Sequence, residues 1–168
     1  GARHINEAVT ELIKQLGATG DFYHIHAAGS AGYKAMLEAL GDTKLSEYTD
    51  VREYINNMDV CMAAADLVIS RCGAASLAEL EAMGRASVLI PSPMVAENHQ
   101  YYNGMVLQNA GAGVVIEEKD LTDKLFIDTV KSFIDDPNKL RECSENAAKL
   151  HVADTNDRIF KALEPLLK

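Results

Sequence analysis

Residues 66–100 read DLVISRCGAASLAELEAMGRASVLIPSPMVAENHQ. The apolar run Leu67-Val68-Ile69, with β-branched Val68 and Ile69, predicts a strand from Asp66 to Arg71, and Cys72-Gly73 predicts a turn. Ala75 to Met83 is rich in helix formers and stops at Gly84, while Ser87 to Ile90 is apolar again and ends at Pro91. Strand, turn, helix and strand in this order make a βαβ unit. Its turn lies at the carboxyl end of one strand and the amino end of the helix that follows. Open α/β sheets bind ligands there, phosphates in particular.

Upstream, Ile5, Val9, Leu12, Ile13 and Leu16 recur at helical spacing, and Gly17 and Gly20 close that helix. Phe22 to Ala28 is a strand candidate; after Gly29-Ser30-Ala31-Gly32 a helix is predicted from about Tyr33 to Leu40. Asp50 to Ile55 reads as a short strand, Asn56-Asn57 as a turn and Met58 to Ala65 as a short helix. Downstream, Tyr101, Met105, Val106 and Leu107 predict a helix ended by Gly111, and Val114 to Ile116 a strand. Thr122 has the chemistry of an N-cap, and helices over Asp123–Ile134, Pro137–Leu150 and Thr155–Leu167 complete the chain. This alternation implies an α/β domain spanning residues 1–168, with a parallel sheet flanked by helices on both faces. A doubly wound domain opens with a strand and this chain opens with a helix. The expectation is therefore a Rossmann-like domain lacking its first strand, a fragment of a larger protein.

The formal charge of −9 argues against nucleic acid as a partner, because phosphate contacts need a basic face. It argues equally against this chain by itself clinging to an anionic membrane, and no apolar run approaches the ~20 residues of a membrane span. Cys61, Cys72 and Cys143 are odd in number, far apart and form no CxxC pair, so they read as reduced thiols. Cys72 stands at a helix amino end, where a thiol can become a nucleophile, but no histidine lies nearby in a recognisable arrangement. It reads as a small residue fitted to a tight turn.

Ser76-Leu77-Ala78-Glu79 admits two readings. It matches a capping box, with Ser76 capping the helix and Glu79 reaching back to the cap amide. Alternatively, the free amides around Ala74, Ala75 and Ser76 hold a phosphate or diphosphate at the positive helix end, and Glu79 accepts hydrogen bonds from both hydroxyls of a ribose. Glu97-Asn98-His99-Gln100 is either a solvated loop with Asn98 as N-cap or, following the next parallel strand, a set of amide and imidazole groups on the same sheet edge. There it could read sugar hydroxyls. His24 and His26 alternate along a strand, which puts both rings on one face. Without a third ligand they make a poor metal site and read as core or edge histidines. The dispersed acidic residues look like solvated helix faces.

Five segments together carry a resemblance to a known family: GARHINEAV at the start, REYINNM at 52–58, AADLVISRCGAASLAELEAMG at 64–84, ENHQYYNG at 97–104 and NAGAG at 109–113. In this order and spacing they resemble the carboxyl-terminal half of the MurG family, bacterial glycosyltransferases that add N-acetylglucosamine to lipid I to make lipid II. The resemblance covers nearly the whole chain, residues 21–50 being nondescript. It implies the GT-B arrangement of two Rossmann-like domains facing across a cleft, with UDP-N-acetylglucosamine bound by this one. It further implies that Ile55 contacts uracil through its backbone, that Ala74, Ala75 and Ser76 lie along the diphosphate and ribose, and that Glu79 binds the ribose hydroxyls. Gln100 and His99 would bind the N-acetylglucosamine hydroxyls, Asn103 would brace that loop, and Arg71 would position the turn.

No cofactor or metal is implied, since helix-end amides and hydroxyls serve the charge growing on the diphosphate. No catalytic residue is expected in this chain. The catalytic base, the lipid I site and the membrane-binding patch belong to the family's amino-terminal domain, which places the whole enzyme on the inner face of the bacterial membrane. Cys72 and Ser76 depart mildly from the family's usual residues, and the family's Gly-Gly-Ser loop before GAR has no counterpart here. Rival readings are another GT-B UDP-sugar transferase, the nucleotide-sugar-binding subunit of the eukaryotic dolichol-linked pathway, and a non-catalytic nucleotide-binding or scaffold module.

Overall fold

The structure is a computed structural model that describes residues 2–20 and 22–167. Its first helix, α1 (Arg3–Leu16), buries Ile5, Ala8, Val9, Leu12 and Ile13 along one stripe and ends at Gly17, whose N–H bonds Ile13 O. Then follow β1 (His24–Ala27), α2 (Ser30–Leu40), β2 (Thr49–Arg52), α3 (Met58–Ala64), β3 (Leu67–Ser70), α4 (Ala74–Met83) and β4 (Ala86–Leu89). The chain closes with α5 (His99–Asn109), β5 (Gly113–Val115), α6 (Asp123–Ile134), α7 (Pro137–Leu150) and α8 (Thr155–Leu163). The alternation of elements is the one expected from the sequence. Several caps are local and legible there: Thr122 accepts the Leu125 N–H, and Asp136 accepts those of Asn138 and Lys139 with Pro137 in the first turn. Gly84, at a left-handed φ of 58°, ends α4. Helix α2 begins at Ser30, earlier than expected, because Gly29 at φ 74° turns the chain directly into it.

The expected parallel sheet is present as two. β1 pairs in parallel with β2, and β3, β4 and β5 form a second parallel sheet in that order. No strand of the first sheet hydrogen-bonds a strand of the second among the described residues. One hydrophobic core nevertheless serves both sheets. Under α1 it joins Ala28, Met36 and Leu40 to Val88, Ile90, Phe126 and Phe133. A second cluster on the other face contains Cys72, Leu77, Leu80, Leu89, Leu107 and Ala147. Successive residues of β4 thus point to opposite clusters, Val88 to the first and Leu89 to the second, as a strand covered by helices on both faces requires.

β4 is buried throughout, and Ser87 within it is the polar exception. Its Oγ has no hydrogen-bond partner among the described residues. Opposite it stands Gly113, where an added Cβ would lie 2.4 Å from the Ser87 carbonyl oxygen. Ser87→Ala is expected to hold or raise stability, by up to ~1 kcal/mol, since it removes a desolvated hydroxyl without opening a cavity. Urea unfolding checks this, and a loss of more than ~1 kcal/mol would mean that the hydroxyl is bonded after all.

Candidate functional site

The parallel strands deliver three connections to one edge. After β3, the residues Arg71-Cys72-Gly73 turn the chain into α4. Gly73 is the N-cap, at an ordinary extended φ of −67°, and no side chain caps the helix. The Leu77 N–H bonds Gly73 O, which leaves the amides of Ala74, Ala75 and Ser76 ahead of the hydrogen-bonded ladder. The capping-box reading is thereby overturned: Ser76 lies inside the first turn of α4 and is not its cap. The helix starts one residue earlier than its composition suggested, so Gly73 takes the cap position. A Cβ on Gly73 would meet nothing closer than Ser76 Oγ at 3.9 Å, so glycine leaves this face of the turn bare. Ala74 and Ala75 are exposed, Ser76 is half-buried, and Glu79 is exposed one turn further on.

Cys72 points the other way. It is fully buried, and burial pushes its thiol up to about 12, against the opposing pull of Arg71. A protonated, enclosed thiol is no nucleophile. Its role is packing: a Cβ on Gly104 of α5 would lie 2.9 Å from Cys72 Sγ, so the two backbones approach as closely as a glycine permits. Asn103 Nδ2 donates to the Cys72 carbonyl at 3.5 Å, a long bond that also ties α5 to the turn.

The second connection, between β4 and α5, carries His99 and Gln100. Sequence placed both in a polar loop; they occupy the first turn of α5. Asn98 precedes the helix in a left-handed conformation without making a capping bond, and Glu97 is left-handed too, each with φ 52°. Two adjacent non-glycine residues in that region cost roughly 1–3 kcal/mol each, the kind of strain that concentrates at ligand-binding loops. Gln100 Oε1 accepts the Ser92 N–H at 2.9 Å, and its Nε2 makes no hydrogen bond among the described residues. The Nδ1 of exposed His99 lies 2.9 Å from Ala96 O, which makes Nδ1 the donor and leaves Nε2 outward.

The third connection follows β2. Ile55 is buried through its side chain, while neither its N–H nor its C=O bonds another described group. Met62 of α3 packs in one cluster with Leu77 and Leu80 of α4, and Arg85, just after α4, bonds Ala63 O near the end of α3. These contacts pack α3 against α4, the helices that follow Ile55 and the Gly73 turn.

Arg71 and Glu118 complete this edge. Arg71 Nη1 donates to the carbonyls of Ile90 (3.2 Å) and Pro91 (3.1 Å), and Nη2 pairs with Glu118 Oε2 at 2.5 Å. Glu118 contradicts the expectation of solvated acidic faces, since its side chain is only 13% exposed. Sequence reasoning missed this pairing because nothing local links residues so far apart in the chain. His24 and His26 stand on one face of β1 with ring centroids 6.2 Å apart, and His26 Nε2 lies 3.0 Å from Asn6 Oδ1. Among the described residues no group of three His, Cys, Asp or Glu side chains converges as a metal site would require.

A parallel α/β domain with helices on both faces and its βα turns gathered on one edge has the architecture of the carboxyl-terminal half of a GT-B glycosyltransferase. The chain belongs to the family described as glycosyltransferase family 28 C-terminal domain, whose model matches residues 1–159. It is 39% identical, over its whole length and 45% of the relative's, to the UDP-N-acetylglucosamine–N-acetylmuramyl-(pentapeptide) pyrophosphoryl-undecaprenol N-acetylglucosamine transferase of Acetivibrio thermocellus. The transferase of the same name from Desulforamulus reducens is 38% identical over 99% of the chain and 46% of its own length. The chain thus spans about half the length of these relatives. In fold it is similar to Acinetobacter baumannii MurG, with a TM-score of 0.84 at 21% identity over 98% of the chain and 47% of that protein. The glycosyltransferase VinC, solved in complex with dTDP, is a more distant likeness, with a TM-score of 0.66 at 12% identity over 92% of the chain and 37% of VinC.

Proposed function

We propose that this chain is the donor domain of an inverting N-acetylglucosaminyltransferase that converts lipid I to lipid II, and that it binds UDP-N-acetylglucosamine along the edge just described. The observation that carries the reading is the uncapped amino end of α4, with Glu79 one turn in and α5 packed on the turn. The Ala74, Ala75 and Ser76 amides, at the positive helix end, suit a diphosphate. Glu79 suits a ribose diol, the free backbone of Ile55 suits a uracil edge, and Gln100 Nε2 with His99 Nε2 suits sugar hydroxyls. Asn103 holds α5 against the turn. The names carried by the relatives support the same donor and acceptor. The chain covers 45% of the first relative's length, and the base, the lipid I site and the membrane-binding surface are assigned to the remainder of the full-length protein. No helix among the described residues is long and apolar enough to cross a membrane.

Calorimetric titration with UDP, UDP-N-acetylglucosamine, UDP-glucose and NAD tests the reading. Binding of the three uridine ligands in preference to NAD, with UDP-N-acetylglucosamine preferred over UDP-glucose, is the expected result. Binding of NAD in preference to UDP, or of none of the four, would remove it in favour of a different nucleotide or a scaffold role. Residues 1–168 alone are expected to form no lipid II, and turnover by them would refute the assignment of the base.

A further inference from the structure

Three side chains from distant parts of the chain meet on the carboxyl edge, none of them among the ligand contacts assigned above. Glu118 sits in the 3-10 turn after β5. Its Oε1 bonds His4 Nδ1, in the first turn of α1, at 2.6 Å, and its Oε2 pairs with Arg71 Nη2 at 2.5 Å. The exposures of these side chains are 13% for Glu118, 22% for Arg71 and 45% for His4. Burial pushes the Glu118 carboxyl up, but the bonds from His4 and the Arg71 guanidinium outweigh it and leave it below the usual carboxylate range.

The guanidinium is a rigid fork of donors, and each prong here has a defined task. Nη1 spans the Ile90 and Pro91 carbonyls, where β4 ends and the loop to α5 begins. That loop carries Ser92, whose N–H bonds Gln100. The backbone of Arg71 itself opens the Cys72-Gly73 turn. One side chain therefore joins the turn to the loop, and the only carboxylate paired with it among the described residues is that of Glu118. Without that carboxylate the cation is free to rotate toward solvent or toward an arriving anion, releasing both carbonyls.

We propose that Glu118 is a positioning residue for donor binding: by holding Arg71 it sets the β4–α5 loop against the β3–α4 turn, and so fixes the sugar end of the site relative to the diphosphate end. This rests on the donor-site reading above. Glu118 is not a ligand contact; it acts through Arg71, while its bond to His4 ties α1 to the same point.

The test is a set of titrations with UDP and UDP-N-acetylglucosamine on the wild-type protein, Glu118→Gln, Arg71→Met and the double variant. Glu118→Gln is expected to weaken UDP-N-acetylglucosamine binding about tenfold and UDP binding by less than about threefold, because only the sugar end loses its register. In the Arg71→Met background it should cost nothing further. Glu118→Asp, which keeps the charge but shortens the reach, should show the same split between ligands to a smaller degree, and it carries the test if Glu118→Gln does not fold. Unchanged affinity, an equal loss for both ligands, or a full additional loss in the Arg71→Met background would overturn the proposal while leaving the donor site standing. A wild-type protein that binds neither ligand overturns the donor-site reading, and this proposal with it.

Discussion

Replacing Glu79 with alanine is expected to weaken UDP binding roughly ten- to a hundredfold while leaving the melting temperature within about 2 °C of wild type. The affinity loss follows from a carboxylate that accepts two hydroxyls, since hydrogen bonds to a charged group contribute about 1.5–3 kcal/mol. The small effect on stability follows from the geometry of α4. A capping box would have made Glu79 a partner of the helix start, and its removal would then cost about 1 kcal/mol of helix stability. Gly73 caps α4, Ser76 lies within its first turn, and Glu79 is exposed with no hydrogen bond or ion pair among the described residues. Alanine at that position is in addition the better helix former. Calorimetry with UDP, paired with thermal unfolding, reads the two quantities separately. A variant that melts several degrees lower and binds UDP as tightly as wild type would return Glu79 to a purely structural role.

Acid is expected to unfold this protein earlier than its carboxylates alone would dictate, because of His24 and His26. Burial holds the His24 imidazole down at about 4, and burial together with the neighbouring His24 charge does the same for His26, from an ordinary 6.5. Both are therefore neutral in the fold and readily protonated in the unfolded chain. Between pH 6.5 and 4 the unfolded state binds more protons, so stability falls as pH falls through that window and is level above it. By pH 5 each histidine accounts for about 2 kcal/mol, a large share of the ~5–15 kcal/mol that a domain has in total. Among the described residues, the Asn6 amide on His26 and the Phe22 ring near His24 are neutral. Urea melts of wild type and of the His24→Gln/His26→Gln variant at pH 7.5, 6.5, 5.5 and 5.0 separate this term from the rest. The wild type should lose about 4 kcal/mol across the series and the variant far less. Parallel losses in the two proteins would show that the histidines are not the cause.

The sequence was legible where the physics is local. A helix announces itself by apolar spacing within a few residues, so Val9, Leu12 and Ile13 mark α1, and caps act over two or three positions, so Thr122 and Pro137 mark α6 and α7. The βαβ unit at 66–90 and its turn are of this kind, and with them the edge on which the candidate site lies. Ile55 and Asn103 came from resemblance alone; no period or spacing singles them out.

Tertiary structure decided what depends on partners distant along the chain. One local question was also left open by the sequence: whether Ser76 caps α4 turned on where the first helical bond closed, at Gly73, and both answers use residues of the same types. Whether β1 and β3 join one sheet is a question of strand pairing, and their alternation reads the same whether an edge is paired or open. Cys72 resembles a reactive thiol by its place at a helix amino end, yet the close approach of Gly104 encloses it. Glu118 looks like any surface acid until the ends of β3, β4 and β5 converge and bring Arg71 to it. Short-range order is written in the spacing of residues, while these contacts arise from the packing of elements against one another, and no stretch of the chain contains both members of such a pair.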